Sequence, residues 1–339
     1  MPGRRVLITG VASQWGAQLA RRLERDPAIE YLAGIDTAPP PDGLERTDFI
    51  EADLRSAVLS RLLPGTEADT VVHCGILWYP EPGKPAKALH EINVIGTLQL
   101  LAACERTPTL ERVIVRGSAA IYGCEGSAPA FFTEGLARRM PLRTRFQRDI
   151  SELEEYFDNF ARRHPQLVCC MLRFQPEIGP DLDSPLVRYL TLPIVPTQLG
   201  FDPRLQLLHA EDATGAIEAA ARNPVRGAVN VAPSGAISLT RLLRLAGRPT
   251  LPIPHPLFGP VLERLARQLG AGGLHDDAVR LLRFGRGVDN RRLREEVGYQ
   301  PRFDVEGAVT DLVEKVDGRR VGPRLHPGNL IGRVVGARE

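Results

Sequence analysis

Lysine is nearly missing from this chain. Three occur, Lys84, Lys87 and Lys315, although lysines and arginines together number 43 in 339 residues. None lies between Lys87 and Lys315, and Tyr-x-x-x-Lys occurs nowhere, so chemistry that needs an amine side chain is excluded from that interval. No apolar run approaches the ~18 residues of a membrane span. The first twenty residues also lack an apolar core, so neither a signal peptide nor a span is expected. Charge of one sign is lacking too: the net value of +2 draws the chain neither to nucleic acid nor to a membrane surface. The five cysteines (Cys74, Cys104, Cys124, Cys169 and Cys170) are odd in number and irregular in spacing, which excludes a disulfide framework. Buried thiols in a reducing, cytoplasmic setting are expected. No cluster of histidine, cysteine and acids has metal-ligand spacing, so no metal is expected.

What is present is organised around Val6-Leu-Ile-Thr-Gly10-Val-Ala-Ser13-Gln14-Trp15-Gly16. A short apolar run suits a buried parallel strand, and Gly10 ends it. Gly16 opens the helically spaced set Ala17, Leu19, Ala20 and Leu23. A strand–turn–helix of this kind aims main-chain N–H groups and a helix dipole at whatever lies above the sheet, which favours phosphate. The spacing is Gly-x-x-Ser-x-x-Gly rather than the commoner Gly-x-Gly-x-x-Gly. Serine fits the middle position if its φ is negative. Further strands are predicted at Tyr31–Asp36, Phe49–Leu54, Thr70–Gly75 and Arg112–Ser118, with helical stretches between them. Alternation of this kind means a doubly wound parallel sheet with its crevice at the strand C-termini. The tips carry Gly10, Asp36, Asp53 with Leu54, and His73-Cys74-Gly75. Asp36 lies 20 residues past Gly16, where a carboxylate can accept from an adenosine ribose and repel a 2′-phosphate. Asn93 inside an apolar helix carries a propensity cost, so its amide is expected to have a buried partner.

Together with Ser118-Ala-Ala-Ile-Tyr122-Gly, Leu172-Arg173…Gly179-Pro180, His209-Ala-Glu-Asp212-Ala, Val229-Asn-Val and Asp289…Gly298-Tyr-Gln-Pro301, these motifs run over nearly the whole chain. In this order they resemble the extended short-chain dehydrogenase/reductases of the NAD-dependent epimerase/dehydratase family, the UDP-glucose 4-epimerase-like group, of the actinobacterial type. The resemblance implies an α/β Rossmann sheet with a small C-terminal substrate-binding domain. The expected division is 1–177 plus 205–228 for NAD binding, 178–204 plus 229–316 for the lid, and 317–339 as a flexible tail. It implies NAD as cofactor, held by Gly10, Ser13, Gln14, Trp15, Gly16, Asp36, Asp53, Leu54, His73, Cys74, Gly75 and Asn93. It further implies a small-molecule substrate of nucleotide-sugar type contacted by Arg204 and Arg286, and it is compatible with a homodimer. The lid is expected to leave the sheet at Ile178–Gly200, with Leu205–Ala221 returning to it as strand and helix. Helices at Phe258–Gly270 and Leu274–Phe284, each with one apolar face, are expected to form lid or dimer surface or, by the more ordinary use of such a face, to pack into a core.

The family's chemistry uses a tyrosine as base, with a lysine lowering its pKa and a serine on the preceding strand. Ser118 keeps its place four residues before Tyr122. The positions matching the tyrosine and lysine are Phe146 and Ile150. Pro176 stands where a substrate-binding asparagine is common, Leu205 where a diphosphate-binding arginine is expected beside Arg204, and Gly117 replaces a serine. Three readings stay open: a member that binds NAD without standard redox chemistry; an oxidoreductase or epimerase with a relocated base, Ser118 with Tyr122, Cys124, Glu125 or Glu134; and an ordinary epimerase, which Phe146 and Ile150 oppose.

Overall fold

A computed structural model describes residues 3–78, 86–223, 225–268, 274 and 276–319. Seven parallel strands form its central sheet: β1 (Arg4–Thr9), β2 (Ile29–Asp36), β3 (Thr47–Glu51), β4 (Thr70–His73), β5 (Arg112–Ser118), β6 (Val168–Phe174) and β7 (Gly227–Val231). Their spatial order is β7–β6–β5–β4–β1–β2–β3, so the winding reverses between β1 and β4. Ligands of open α/β sheets bind at such a reversal, outside the strand C-termini.

Burial on both faces explains the unbroken apolar runs. Leu7, Val113, Val115, Cys169 and Met171 enter one apolar cluster, while Val6, Ile8, Ile114, Cys170 and Leu172 enter the other. Helices α1 (Gln14–Leu23), α2 (Leu59–Gly65), α3 (Gly96–Cys104), α4 (Arg145–Arg163) and α5 (Ala210–Arg222) cover these faces. α1 and α5 pack side by side on one face; α2, α3 and α4 share the other. α4 opens with a capping box: Thr144 Oγ1 accepts from the Gln147 N–H at 3.1 Å, and Gln147 Oε1 accepts from the Thr144 N–H at 3.3 Å. From there Phe146, Ile150, Leu153, Phe157 and Phe160 lie along one buried stripe at helical spacing.

A third apolar cluster lies apart from the sheet, built from Leu186, Leu190, Leu205, Leu242 and residues of α6 (His255–Gln268), α7 (Asp276–Phe284) and α8 (Val305–Arg319). Three expectations change here. Leu205 does not rejoin the main sheet; it pairs antiparallel with Ile237, while Leu208–His209 pairs with Glu177–Ile178. A boundary after residue 228 would cut β7, whose Asn230 and Val231 pair with Arg173 and Phe174. The expected tail from residue 317 begins as the last turn of α8, and residues 320–339 lie outside the described residues. The expected helices around 258–284 fall on α6 and α7, with 269–273 and 275 outside the described residues.

Candidate functional site

The glycine turn closes on the tip of β4. Gly10 has φ +75°, and a Cβ there would stand 2.6 Å from the Gly75 Cα. A Cβ on Gly16 would meet the Gly10 carbonyl oxygen at 2.2 Å. Both glycines are therefore sterically required. Ser13 has φ −67°; its Oγ donates to the Gly10 carbonyl at 2.6 Å and accepts from the Gly16 N–H at 3.1 Å, capping α1. This is why serine serves in the middle of the motif. The N–H groups of Gln14 and Trp15 belong to the first turn of α1, where helices leave donors without intrahelical partners.

Asp36, at the end of β2, ties this turn to its own strand. Its Oδ2 accepts from the Ala12 N–H at 2.9 Å and its Oδ1 from the Thr37 N–H at 2.7 Å. A carboxylate has about four acceptor sites, so capacity for a ribose remains. Asp53 accepts from Arg55 Nε at 2.9 Å, and Leu54 lies against Gly75 and Gly96.

Several residues expected at the cofactor turn out to brace the framework. His73 is fully buried between Thr9 Oγ1, 2.6 Å from Nδ1, and Thr97 Oγ1, 3.0 Å from Nε2. The Thr97 hydroxyl already donates to the Asn93 carbonyl at 2.5 Å, so it accepts from Nε2–H, and Nδ1 accepts from Thr9. His73 is thus a neutral strut, and burial lowers its pKa to about 4. Asn93 sits in a π-helical turn (Glu91–Ile95), where Oδ1 accepts from the Leu77 N–H at 2.8 Å and Nδ2 donates to the Leu77 carbonyl at 2.7 Å. The buried partner is therefore the loop after β4. The Cys74 side chain is buried as well, its thiol pushed up to about 12. Any contact these three make with a ligand has to come from the main chain.

A pH effect follows. Because the folded pKa of His73 lies below its ordinary 6.5, the unfolded chain takes the proton first as pH falls. Stability should decline from pH 6.5 toward pH 4, by about 2 kcal/mol at pH 5 from this group. Denaturant unfolding of the native protein and of His73→Gln at pH 7 and pH 5 checks this. Equal pH dependence in the two would remove the assignment.

The crevice continues over β4, β5 and β6. Ser118 is 1% exposed, and its Oγ accepts from the Ala120 N–H at 3.2 Å. Beside it a small cavity is lined by Trp78, Phe146, Pro176, Asp277 and Arg286 among others. The space that a water's centre can reach there is about 20 Å³, enough for about one water. Arg286 is buried here, 3.5 Å from Asp277 and 3.4 Å from the Cys124 sulfur. Arg204 is exposed and does not line this cavity.

The relocated-base candidates are all engaged. The Tyr122 hydroxyl donates to Asn230 Oδ1 at 2.6 Å and accepts from Arg173 Nη1 at 2.8 Å inside the core. Burial raises its pKa to about 12, against the pull of Arg173. The hydroxyl on which the expected pairing of Ser118 with Tyr122 relies is thus already bonded to Asn230 and Arg173. Burial likewise pushes the Cys124 thiol up to about 12. Glu125 is held by Arg280 at 2.6 Å and Arg143 at 3.1 Å, and Glu134 accepts from the Asn230 N–H at 3.0 Å.

Sequence reasoning missed Trp78, Arg116, Glu177 and Asp277. One signal was available: Arg116 interrupts the apolar strand Val113-Ile-Val, and a charge in a buried strand requires a buried partner.

The sequence profile of the NAD dependent epimerase/dehydratase family matches residues 6–232. An uncharacterized protein of Mycobacterium tuberculosis (strain ATCC 25618 / H37Rv) is 36% identical, covering 98% of this chain and 89% of that protein. Two solved structures share the fold. One is a dTDP-glucose 4,6-dehydratase from Bacillus anthracis in complex with NAD, with TM-score 0.70 and 13% identity, covering 94% of this chain and 98% of that one. The other is a UDP-glucose 4-epimerase from Thermotoga maritima with UDP-glucose, with TM-score 0.69 and 17% identity, covering 93% and 99%.

Proposed function

Because the chain belongs to the NAD dependent epimerase/dehydratase family, we propose that it binds NAD in the crevice of its sheet but does not carry out the family's standard tyrosine-based hydride transfer. The observation carrying this is the state of the two expected catalytic positions. Phe146 is 5% exposed and Ile150 is 0% exposed, both within one apolar cluster, and neither bears a titratable group. A phenyl ring cannot take a hydroxyl proton, and Ile150 carries no charge to tune one.

The residues fit the adenosine end of the cofactor. At Gly10 and Gly16 a Cβ would collide with the main chain of Gly75 and of Gly10, so the turn packs tightly against the tip of β4 and presents the start of α1 above the sheet, which suits close main-chain approach of a diphosphate. Gln14 and Trp15 supply N–H groups, and Asp36 supplies the acceptor that selects an unphosphorylated ribose. NAD would bring hydride chemistry to such a site. This chain's part is to bind and orient it. The nucleotide sugars in the structural neighbours support a related pocket beneath the third apolar cluster. Ser118, Phe146, Asp277 and Arg286 border that place.

Calorimetry should show NAD preferred over NADP, and a reversed preference would remove the role of Asp36. UDP-glucose and UDP-galactose incubated with NAD should turn over at least ~10³-fold more slowly than typical enzyme rates, given the share of rate that general acid–base catalysis supplies. Interconversion of the two sugars at an ordinary enzymatic rate would overturn the proposal.

A further inference from the structure

On the β4–β5–β6 side, next to the small cavity, a cluster of side chains is packed at the end of the sheet. Arg116, two residues before the end of β5, is 1% exposed. Its guanidinium carbon lies 4.6 Å from the ring centre of Trp15, 4.7 Å from that of Trp78 and 5.3 Å from that of Phe174. Arg116 Nη2 donates to both oxygens of Glu177, at 2.8 and 2.6 Å, and Glu177 is 6% exposed. These side chains come from the first turn of α1, the loop after β4, the end of β5 and the segment after β6. All four places border the same end of the sheet; those after β4, β5 and β6 lie across the winding reversal from Asp36, and the first turn of α1, which follows β1, lies at the reversal itself.

A dinucleotide lies across such a reversal with its pyrophosphate at the start of α1 and one nucleoside on each side. With Asp36 on the adenosine side, the second nucleoside would lie on the side where Trp15, Arg116, Trp78 and Glu177 are packed. Opening that space means unstacking a guanidinium from aromatic rings and separating a buried ion pair, both costly steps. Arg116 Nε and Trp78 Nε1 are buried without a hydrogen-bond partner among the described residues. The cluster is therefore polar at its centre yet closed to solvent.

We propose that the crevice is a half-site: it recognises nucleotides by their adenosine diphosphate end, and the Trp15–Arg116–Trp78–Glu177 cluster occupies the place of the second nucleoside. NAD then binds through its ADP moiety, with its nicotinamide riboside outside the crevice. The inference rests on the reading of the Asp36 side as an adenosine site. Its ligand class is ADP-bearing nucleotides in general, ADP and ADP-ribose included.

Titrating the full-length native protein with ADP, ADP-ribose, NAD and NADH by calorimetry tests this. A second nucleoside making no contacts adds no binding energy, so the four dissociation constants should agree within about threefold. Trp15 and Trp78 are the chain's two tryptophans, so intrinsic emission reports on this cluster directly. ADP and NAD should change that emission alike. Arg116→Ser with Glu177→Gln removes both charges together and should favour NAD over ADP by about tenfold or more, one decade being ~1.4 kcal/mol. The comparison of ligands on the native protein decides the matter even if that variant does not fold. NAD binding about thirtyfold or more tighter than ADP, with an emission change that ADP does not produce, would overturn the half-site while leaving the NAD reading intact. Binding of none of the four would overturn both.

Discussion

Phe146→Tyr combined with Ile150→Lys should give a destabilised protein without hydride transfer rather than a restored oxidoreductase. The two positions differ although they are four residues apart on α4. Phe146 borders the small cavity beside Ser118, so an added hydroxyl has a polar neighbourhood in Asp277 and Arg286. Phe146→Tyr alone should cost less than about 1.5 kcal/mol, because the added hydroxyl meets that polar lining rather than the apolar core. Ile150 is 0% exposed and belongs to the same apolar cluster as Leu153, Ala119 and Phe157. A lysine there must be neutral or pull water into the core. Burial depresses a lysine pKa by up to about 3–5 units, which corresponds to roughly 4–5 kcal/mol at neutral pH. That is a large part of the about 5–15 kcal/mol by which domains are stable. Thermal melts of the two single variants and the double variant should place the loss on Ile150→Lys. The double variant with NAD and UDP-glucose should form no NADH above background. A well-folded double variant that reduces NAD would show that only two groups were missing and that the crevice admits nicotinamide.

The fold was legible because its determinants are local. Alternating apolar runs and helical stretches specify a parallel sheet, and Gly10 and Gly16 mark a turn where a Cβ has no room. Asp36 was legible for the same reason: the tip of the second strand is a fixed distance along the chain from the glycine turn. What could not be read is which polar residues find one another across long separations. His73 and Asn93 carry the spacing of ligand-binding residues, but their atoms are spent on Thr9, Thr97 and Leu77. Tyr122 falls four residues after Ser118, yet its hydroxyl meets Asn230, 108 positions away. Arg116 and Glu177 are separated by 61 residues, and no periodicity links them. The expected boundary at 228 falls inside β7 for a related reason, since that strand comes late in the chain and its place at the sheet edge depends on pairing with β6.

Arg173→Met should be among the most destabilising single substitutions in the chain. Arg173 lies on β6, its side chain 6% exposed, and holds Glu154 of α4 by Nε at 3.0 and 3.1 Å and by Nη2 at 2.8 Å. Its Nη1 also donates to the Tyr122 hydroxyl at 2.8 Å and to the Glu134 carbonyl at 2.9 Å. One guanidinium thus joins the sheet to α4, to the turn after β5 and to the loop before α4. Burial pushes the Glu154 carboxyl up, and Arg173 is the main group opposing it. Without Arg173, Glu154 must sit unpaired in the core or take up a proton, and the Tyr122 and Glu134 acceptors lose their donor. Breaking a buried pair from one side costs about 3–5 kcal/mol. For a chain of 339 residues that lowers Tm by roughly 4–7 °C, at ~1.4 °C per kcal/mol. Removing both partners should hurt less, because no charge is left uncompensated: Arg173→Met with Glu154→Met should recover at least about 1 kcal/mol of the single-variant loss. Denaturant unfolding of the native protein, both single variants and the double variant closes the cycle. A cost below about 1 kcal/mol for Arg173→Met would mean that the ion pair does not hold α4 against the sheet, and that the position of Phe146 and Ile150 rests on apolar packing alone.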